Sequence, residues 1–242
     1  MTSAVRLPGI SVFLPSHNEE ANVERVVGGY VAALPAIADD YEVIVVNDGS
    51  RDRTGEIAAK LAAQNSHVKV VNHEVNRGYG GAVISGIRAA TMPWVLLSDG
   101  DGQFDPLDVA KLAARTDQYD VICGRRVSRA DNLVRRFNGR AWTTLVRVVL
   151  GVTISDIDCG FKLFRRELLE KIQLRARGAM ISTELMARLQ GQGARVCEVG
   201  VKHLPRLAGE QSGANFKVVA RAFKELLQLA NELRAERRGI SR

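Results

Sequence analysis

The strongest constraint on the fold is an alternation in the first half of the chain, where short β-branched runs are each followed by helical spacing. The run Tyr41–Asn47, YEVIVVN, is apolar almost throughout, as suits a strand covered on both faces. Comparable runs stand at Ile10–Leu14, Val68–Val71, Trp94–Ser98 and Asp120–Cys123. Between them, Glu19–Leu34, Asp52–Gln64, Gly80–Ala90 and Asp108–Arg115 have amphipathic helical patterns, with Asn18 as the expected cap of the first. The alternation predicts βαβ units, and so an α/β fold with a mainly parallel central sheet flanked by helices.

After Gly124 the texture changes. Between Arg125 and Arg147 there are seven arginines (Arg125, Arg126, Arg129, Arg135, Arg136, Arg140 and Arg147) against one acid, Asp131. Trp142, Leu145, Val146, Val148, Val149 and Leu150 add an apolar face, so Arg129–Leu150 reads as a basic amphipathic helix. Phe161–Phe164 and Arg195–Val201 have strand character. Arg166–Ile172, Ser182–Gln190 and the stretch from Asn215 to about Arg237 have helical character. No repeat, low-complexity tract or linker interrupts the chain, and a single domain is expected.

Composition narrows the function. The 242 residues are 46% hydrophobic and 25% charged, with a formal net charge of +7. These values exclude a disordered or fibrous chain and point to an anionic partner: phosphate, nucleic acid or anionic lipid. Aromatics at 5% argue against a base-stacking surface. No apolar run reaches the roughly 18 residues of a membrane span. The segment MTSAVRLPG lacks the apolar stretch of a signal peptide, so a cytoplasmic location is expected. Cys123, Cys159 and Cys197 are widely spaced and read as reduced thiols, neither a disulfide framework nor a zinc site. H-E-x-x-H, Walker A and G-x-S-x-G motifs are all absent.

In an open parallel sheet, ligands bind beyond the carboxyl ends of the strands. Here those ends carry Pro15-Ser16-His17-Asn18-Glu19, Asn47-Asp48-Gly49-Ser50, Asn76-Arg77-Gly78 and Asp99-Gly100-Asp101-Gly102-Gln103. Taken singly, Asn18 or Ser50 suits a cap or turn equally well. Four strands converging is a stronger signal. In D-G-D-G-Q, two carboxylates one residue apart suit a hard divalent cation that leaves positions open for diphosphate oxygens. Read alone, the same segment also suits a plain Asp/Gly turn. Gly78-Tyr79-Gly80-Gly81 lacks G-x-G-x-x-G spacing and is expected to serve close backbone packing.

Six motifs occur in order: P-S-H-N-E, V-V-N-D-G-S, N-R-G-Y-G-G-A, D-G-D-G-Q, D-I-D-C-G-F-K and P-R-L-A-G-E-Q-S-G. Together they resemble family 2 glycosyltransferases of the GT-A fold, above all the dolichyl-phosphate mannose synthase and polyprenyl-phosphate glycosyltransferase branch. The resemblance runs from about Ile10 to about Asn215. It implies an inverting, metal-dependent transfer of a hexose from a nucleoside diphosphate sugar (GDP-mannose or a UDP-hexose) to a polyprenyl phosphate lipid. It also implies a nucleotide-sugar half over about 8–124 and an acceptor half over about 125–242.

By the same resemblance, Pro15, His17, Glu19, Asp48, Arg77 and Asp99 bind the donor nucleotide. Asp99, Asp101 and Gln103 hold Mg²⁺ or Mn²⁺. His17 stands where the family more often has Tyr or Phe, and Asp158 where it has Thr. Asp156, Glu184 and Arg206 are the expected catalytic groups, and Arg125, Arg126, Arg135 and Ser212 the expected acceptor contacts.

A phosphate acceptor is already ionised and needs arginines more than a base. A hydroxyl acceptor (a glycan or small metabolite) would instead require Asp156 or Glu184 to take its proton. The basic helix suits either a sheet-packed helix with a solvated face or peripheral contact with anionic lipid at the inner membrane face, direct or through a membrane partner. A nucleic-acid-binding protein is the competing class. Few aromatics, the acidic D-G-D segment and no recognisable binding motif speak against it, so no nucleic-acid partner is expected.

Overall fold

Among the described residues, seven strands form one sheet in the order β3-β2-β1-β4-β6-β5-β7. The computed structural model describes residues 5–127, 133–178, 180–206 and 216–237. The strands are β1 (Ile10–Ser16), β2 (Tyr41–Asp48), β3 (Val68–His73), β4 (Trp94–Ser98), β5 (Val121–Val127), β6 (Phe161–Arg165) and β7 (Val196–Lys202). Strand β6 runs antiparallel to both β4 and β5, and the remaining pairs are parallel. The expected mainly parallel α/β architecture is therefore what the chain adopts.

The helices are α1 (Val23–Ala33), α2 (Thr54–Gln64), α3 (Gly78–Ala89), α4 (Val109–Ala113), α5 (Leu133–Leu150), α6 (Arg166–Leu169), α7 (Met180–Gly191) and α8 (Phe216–Arg237). Side chains of the apolar strands point alternately to two cores, because successive residues of a strand face opposite ways. Val12, Leu14, Val43, Val45 and Leu96 enter one core, and Phe13, Ile44, Val46, Val95 and Leu97 the other. This two-sided burial is why YEVIVVN is apolar without alternation.

Chain order reverses between β1 and β4. The chain steps outward from β1 to β2 and β3, then returns to β4 on the other side of β1. The β1–β4 ladder ends at Phe13↔Leu97, whereas β1 stays paired with β2 as far as Ser16↔Asn47. At this switch point an open α/β sheet carries a crevice beyond the strand ends, floored in part by the close approach of Gly100 to Pro15 and Ser16.

Several expected boundaries move. Helix α1 begins at Val23, not Glu19, and its cap position is Asn22. Asn18 adopts a left-handed φ of 55°, and its side chain accepts from the Arg51 N–H at 2.9 Å. It ties two loops together instead of capping a helix. Helix α6 stops at Leu169, short of Ile172, and α5 is described from Leu133 rather than Arg129. Of the thiols, Cys123 and Cys159 are buried and Cys197 is partly so, and none is disulfide-bonded.

Candidate active site

The crevice deepens into a cavity of about 700 Å³. The end of β1 and its loop contribute Pro15, His17 and Glu19, β2 contributes Asp48, and the β4 end contributes Asp99 and Asp101. Arg206, after β7, completes the lining. These seven groups were expected at the site from sequence, and the fold gathers them. Asn76 joins them from the β3–α3 turn and Tyr79 from the first turn of α3.

Asp99 sits at the cavity floor, where Tyr79 donates its hydroxyl to Oδ1 at 2.8 Å. Burial and the neighbouring negative charge of Asp101 push Asp99 up to about 7, against the pull of Tyr79, Lys162 and Arg126. Burial, with Asp99 alongside, lifts the Tyr79 phenol well above its usual range, so Tyr79 stays a proton donor. Gly160 closes the other side of Asp99. Its carbonyl accepts from the Asp99 N–H at 3.1 Å, and a side chain at 160 would overlap the Asp99 carboxylate.

The loop before β6 is pinned from beneath by Lys162. This side chain is 0% exposed, and its ammonium donates to the carbonyls of Ile157 and Cys159. A buried ammonium costs free energy unless its hydrogens are bonded, and the loop carbonyls supply that bonding. Burial pushes the Cys159 thiol up to about 12, so it is not a nucleophile.

Arg206 bridges the cavity: one guanidinium nitrogen donates to Glu19 Oε1 and another lies 3.8 Å from Asp101 Oδ2. Burial raises Glu19, while its bond to Asn22 and the charge of Arg206 draw it back. Among the described residues no cluster of three or more His, Cys, Asp or Glu is placed to hold a metal. The chain offers two carboxylates, Asp99 and Asp101. That donor set fits a hard cation completed by oxygens of its ligand, because a cation relieves the mutual repulsion of two neighbouring carboxylates.

Other expected groups lie elsewhere. Arg77 contributes its backbone N–H, which donates to Asp48 Oδ1 at 2.8 Å. The Gln103 amide donates to the Leu204 carbonyl at 3.1 Å and braces the chain near Arg206. Asp156 is gripped by Arg126 at 2.7 and 2.9 Å. Burial opposes the Arg126 charge, but Asp156 outweighs it and raises that group above its usual range. Arg125 is exposed on β5.

Glu184 is 2% exposed and lines a separate cavity beside α7 and α8. Its carboxylate binds Arg188 at 2.8 Å and the N–H groups of Arg175 and Ala176 at 2.9 and 2.8 Å. It thus holds the turn whose Arg177 carbonyl receives the Gly80 N–H. A side chain at Gly80 would overlap that turn, which explains the glycine cluster as backbone packing. The Arg135 side chain and Ser212 lie outside the described residues.

Sequence reasoning did not assign Tyr79, Gly160 or Lys162 to the site. Tyr79 left a faint signal as the one large residue among three glycines. Lys162 left none, since a lysine in an apolar strand gives no sign of which carbonyls will surround it.

The family described as Glycosyl transferase family 2 matches residues 11–173. The undecaprenyl-phosphate 4-deoxy-4-formamido-L-arabinose transferase of Pseudomonas paraeruginosa is 30% identical over 88% of this chain, which spans 63% of that relative. Glycosyltransferase AglD of Haloferax volcanii is 33% identical over 81% of the chain, and 33% of its own length is covered. The chain thus spans less than two thirds of the length of these relatives. Glucosyl-3-phosphoglycerate synthase from Mycobacterium tuberculosis, crystallised with Mn²⁺, UDP-glucose and phosphoglyceric acid, superposes with a TM-score of 0.70. That match has 21% identity and covers 93% of this chain and 80% of the other.

Proposed function

The chain belongs to glycosyl transferase family 2, and from that premise we propose that it moves a hexose from a nucleoside diphosphate sugar to a polyprenyl phosphate. The donor is GDP-mannose or a UDP-hexose, and transfer inverts the sugar carbon. The carrying observation is that Asp48 and the Asp99–Asp101 pair line one cavity from strands on either side of β1. Two strand spacings, about 10 Å, separate them, comparable to the reach from a nucleoside to its diphosphate. In this reading residues up to about 124 hold the donor, and the remainder serves the acceptor.

Asp99 and Asp101 would hold Mg²⁺ or Mn²⁺, which when bound offsets charge on the departing diphosphate. The Mn²⁺ and UDP-glucose of the mycobacterial enzyme support this assignment. Gln103 supports the loop from outside. Arg206, already between Glu19 and Asp101, is the cation placed to meet phosphate oxygens as the donor enters.

The acceptor follows from Asp156. A carboxylate held by both prongs of Arg126 is a poor proton acceptor, so deprotonating a sugar hydroxyl would first require breaking that pair. A phosphate monoester, with a second pKa of about 6, attacks without a base. The undecaprenyl-phosphate named in the Pseudomonas relative supports the same acceptor class. Arg126 and Arg206 gather the two anions, with Arg125, Arg135 and Ser212 as further contacts. Glu184 acts by holding the 175–176 turn.

No helix among the described residues is long and apolar enough to cross a membrane. Val148 on α5 and Leu227 on α8 are 79% and 60% exposed, and Trp142 meets Phe223 edge-on between the same helices. We assign these exposed apolar residues to peripheral contact with the acceptor's membrane. The test is incubation with labelled GDP-mannose, UDP-glucose and UDP-N-acetylhexosamine, a short polyprenyl phosphate and Mn²⁺. A labelled organic-soluble product is expected with one donor. Its absence with all of them would overturn the lipid acceptor.

A further inference from the structure

Behind the donor cavity, Asp48, His73 and Ser85 form a hydrogen-bonded relay. Asp48 ends β2 and His73 ends the edge strand β3, directly paired in register. His73 Nδ1 lies 2.6 Å from Asp48 Oδ1, and its Nε2 lies 2.8 Å from Ser85 Oγ on α3. The His73 and Asp48 side chains are 2% and 4% exposed. An ionised carboxylate only accepts hydrogen bonds, so Nδ1 carries the proton, and in the neutral ring Nε2 accepts from the Ser85 hydroxyl.

The Arg77 N–H donates to the same Oδ1 at 2.8 Å. Oδ1 therefore has two protein donors, while no donor among the described residues reaches Oδ2. Of the three relay residues, Asp48 alone lines the cavity. A nucleophilic triad would present its hydroxyl to substrate. Here the hydroxyl is the remote end, and the relay reaches a ligand only through the carboxylate.

We propose that His73, backed by Ser85, is a positioning residue that decides which nucleotides the donor cavity accepts. It locks Asp48 so that Oδ2 accepts a hydrogen bond from the nucleoside, whether from an imino N–H of the base or from a ribose hydroxyl. The inference rests on the nucleotide-donor reading above. A carboxylate fixed in advance discriminates because a nucleoside lacking the matching donor leaves a buried acceptor unpaired. A carboxylate free to turn loses that discrimination.

The test is calorimetric nucleotide binding to the full chain with Mn²⁺. UDP against CDP and GDP against ADP remove the imino hydrogen. The 2′-deoxy diphosphates remove the ribose hydroxyl, so the two sources are told apart. Wild type is expected to favour the donor-bearing member of one comparison by at least about tenfold, the worth of one hydrogen bond to a charged group. His73→Leu removes the Nδ1 donor and should collapse that ratio, whereas His73→Asn, whose amide can replace Nδ1–H, should keep most of it. Equal loss in both variants, or an unchanged ratio in His73→Leu, overturns the proposal. If His73→Leu does not fold, Ser85→Ala decides: a narrowed ratio supports the relay and an unchanged one overturns it. Failure of wild type to bind any of the nucleotides would overturn the donor reading itself, whereas an unchanged ratio removes only the role of His73.

Discussion

Arg206 and Glu19 stand 187 positions apart in the chain and are joined across the mouth of the cavity by a charged hydrogen bond. The bond ties the segment after β7 to the loop after β1. It also leaves the same guanidinium 3.8 Å from Asp101, where anionic ligand oxygens would be brought.

Arg206→Ala is expected to lower transfer by about 100-fold or more, the scale seen when a group stabilising developing charge is removed. Arg206→Lys should recover part of the rate, because it restores the charge without the two-pronged geometry. Initial rates at saturating donor measure both. Equal rates in all three proteins would remove Arg206 from the chemistry.

Asp101→Asn halves the pair of carboxylates offered to a cation. Mn²⁺-dependent UDP binding should weaken at least about tenfold, the loss already seen when only an outer partner of a metal ligand is removed, while binding without Mn²⁺ changes less. Titration calorimetry with and without the metal separates the two. A variant with wild-type transfer at saturating Mg²⁺ or Mn²⁺ would refute the assignment.

Gly160→Ala forces a methyl group into the space of the Asp99 carboxylate. The variant should lose about 1–3 kcal/mol of stability, the usual cost of overpacking, and weaken donor binding with it. Urea unfolding monitored through Trp94 and Trp142 gives the first quantity and UDP titration the second. Full stability together with full affinity would show that the loop before β6 yields freely.

Asp120 is held by Arg165 at 3.0 Å and Arg195 at 2.9 Å. Its bonds to Arg195, joined by that to Arg165, outweigh the opposing effect of burial and lower it from 3.8 to about 2. Because the folded-state value is depressed, the contribution is complete above about pH 4 and lost as pH falls through about 2. Asp120→Asn should lower the melting temperature at neutral pH, with the gap to wild type closing between about pH 4 and 2. The effect is modest, about 1 kcal/mol, since the Arg195 partner is largely exposed to solvent. A pH-independent gap would refute the pairing.

The framework of the first half of the chain was legible because it rests on local patterns. A β-branched run such as Tyr41–Asn47 announces a buried strand. The acids at its end and at the end of Trp94–Ser98 fall at one edge of a parallel sheet whatever the loops do. The second half was less legible. Asp156 and Glu184 look alike in sequence, yet one is clamped by Arg126 and the other bonds a turn in a different cavity. Which cation or amide meets a carboxylate depends on contacts between distant segments, and periodicity carries no information about those.

Sequence alone determined the strand and helix alternation, the carboxylate pair Asp99 and Asp101, and the family motifs, because each lies within a few consecutive residues. Tertiary structure decided the reversal of strand order that opens the cavity beside β1. It also decided the seating of Asp99 between Tyr79 and Gly160, the burial of Lys162 beneath the loop, and the bond from Arg206 to Glu19. These are long-range matters of packing and charge pairing: each partner becomes definite only when the sheet has brought separate chain segments together.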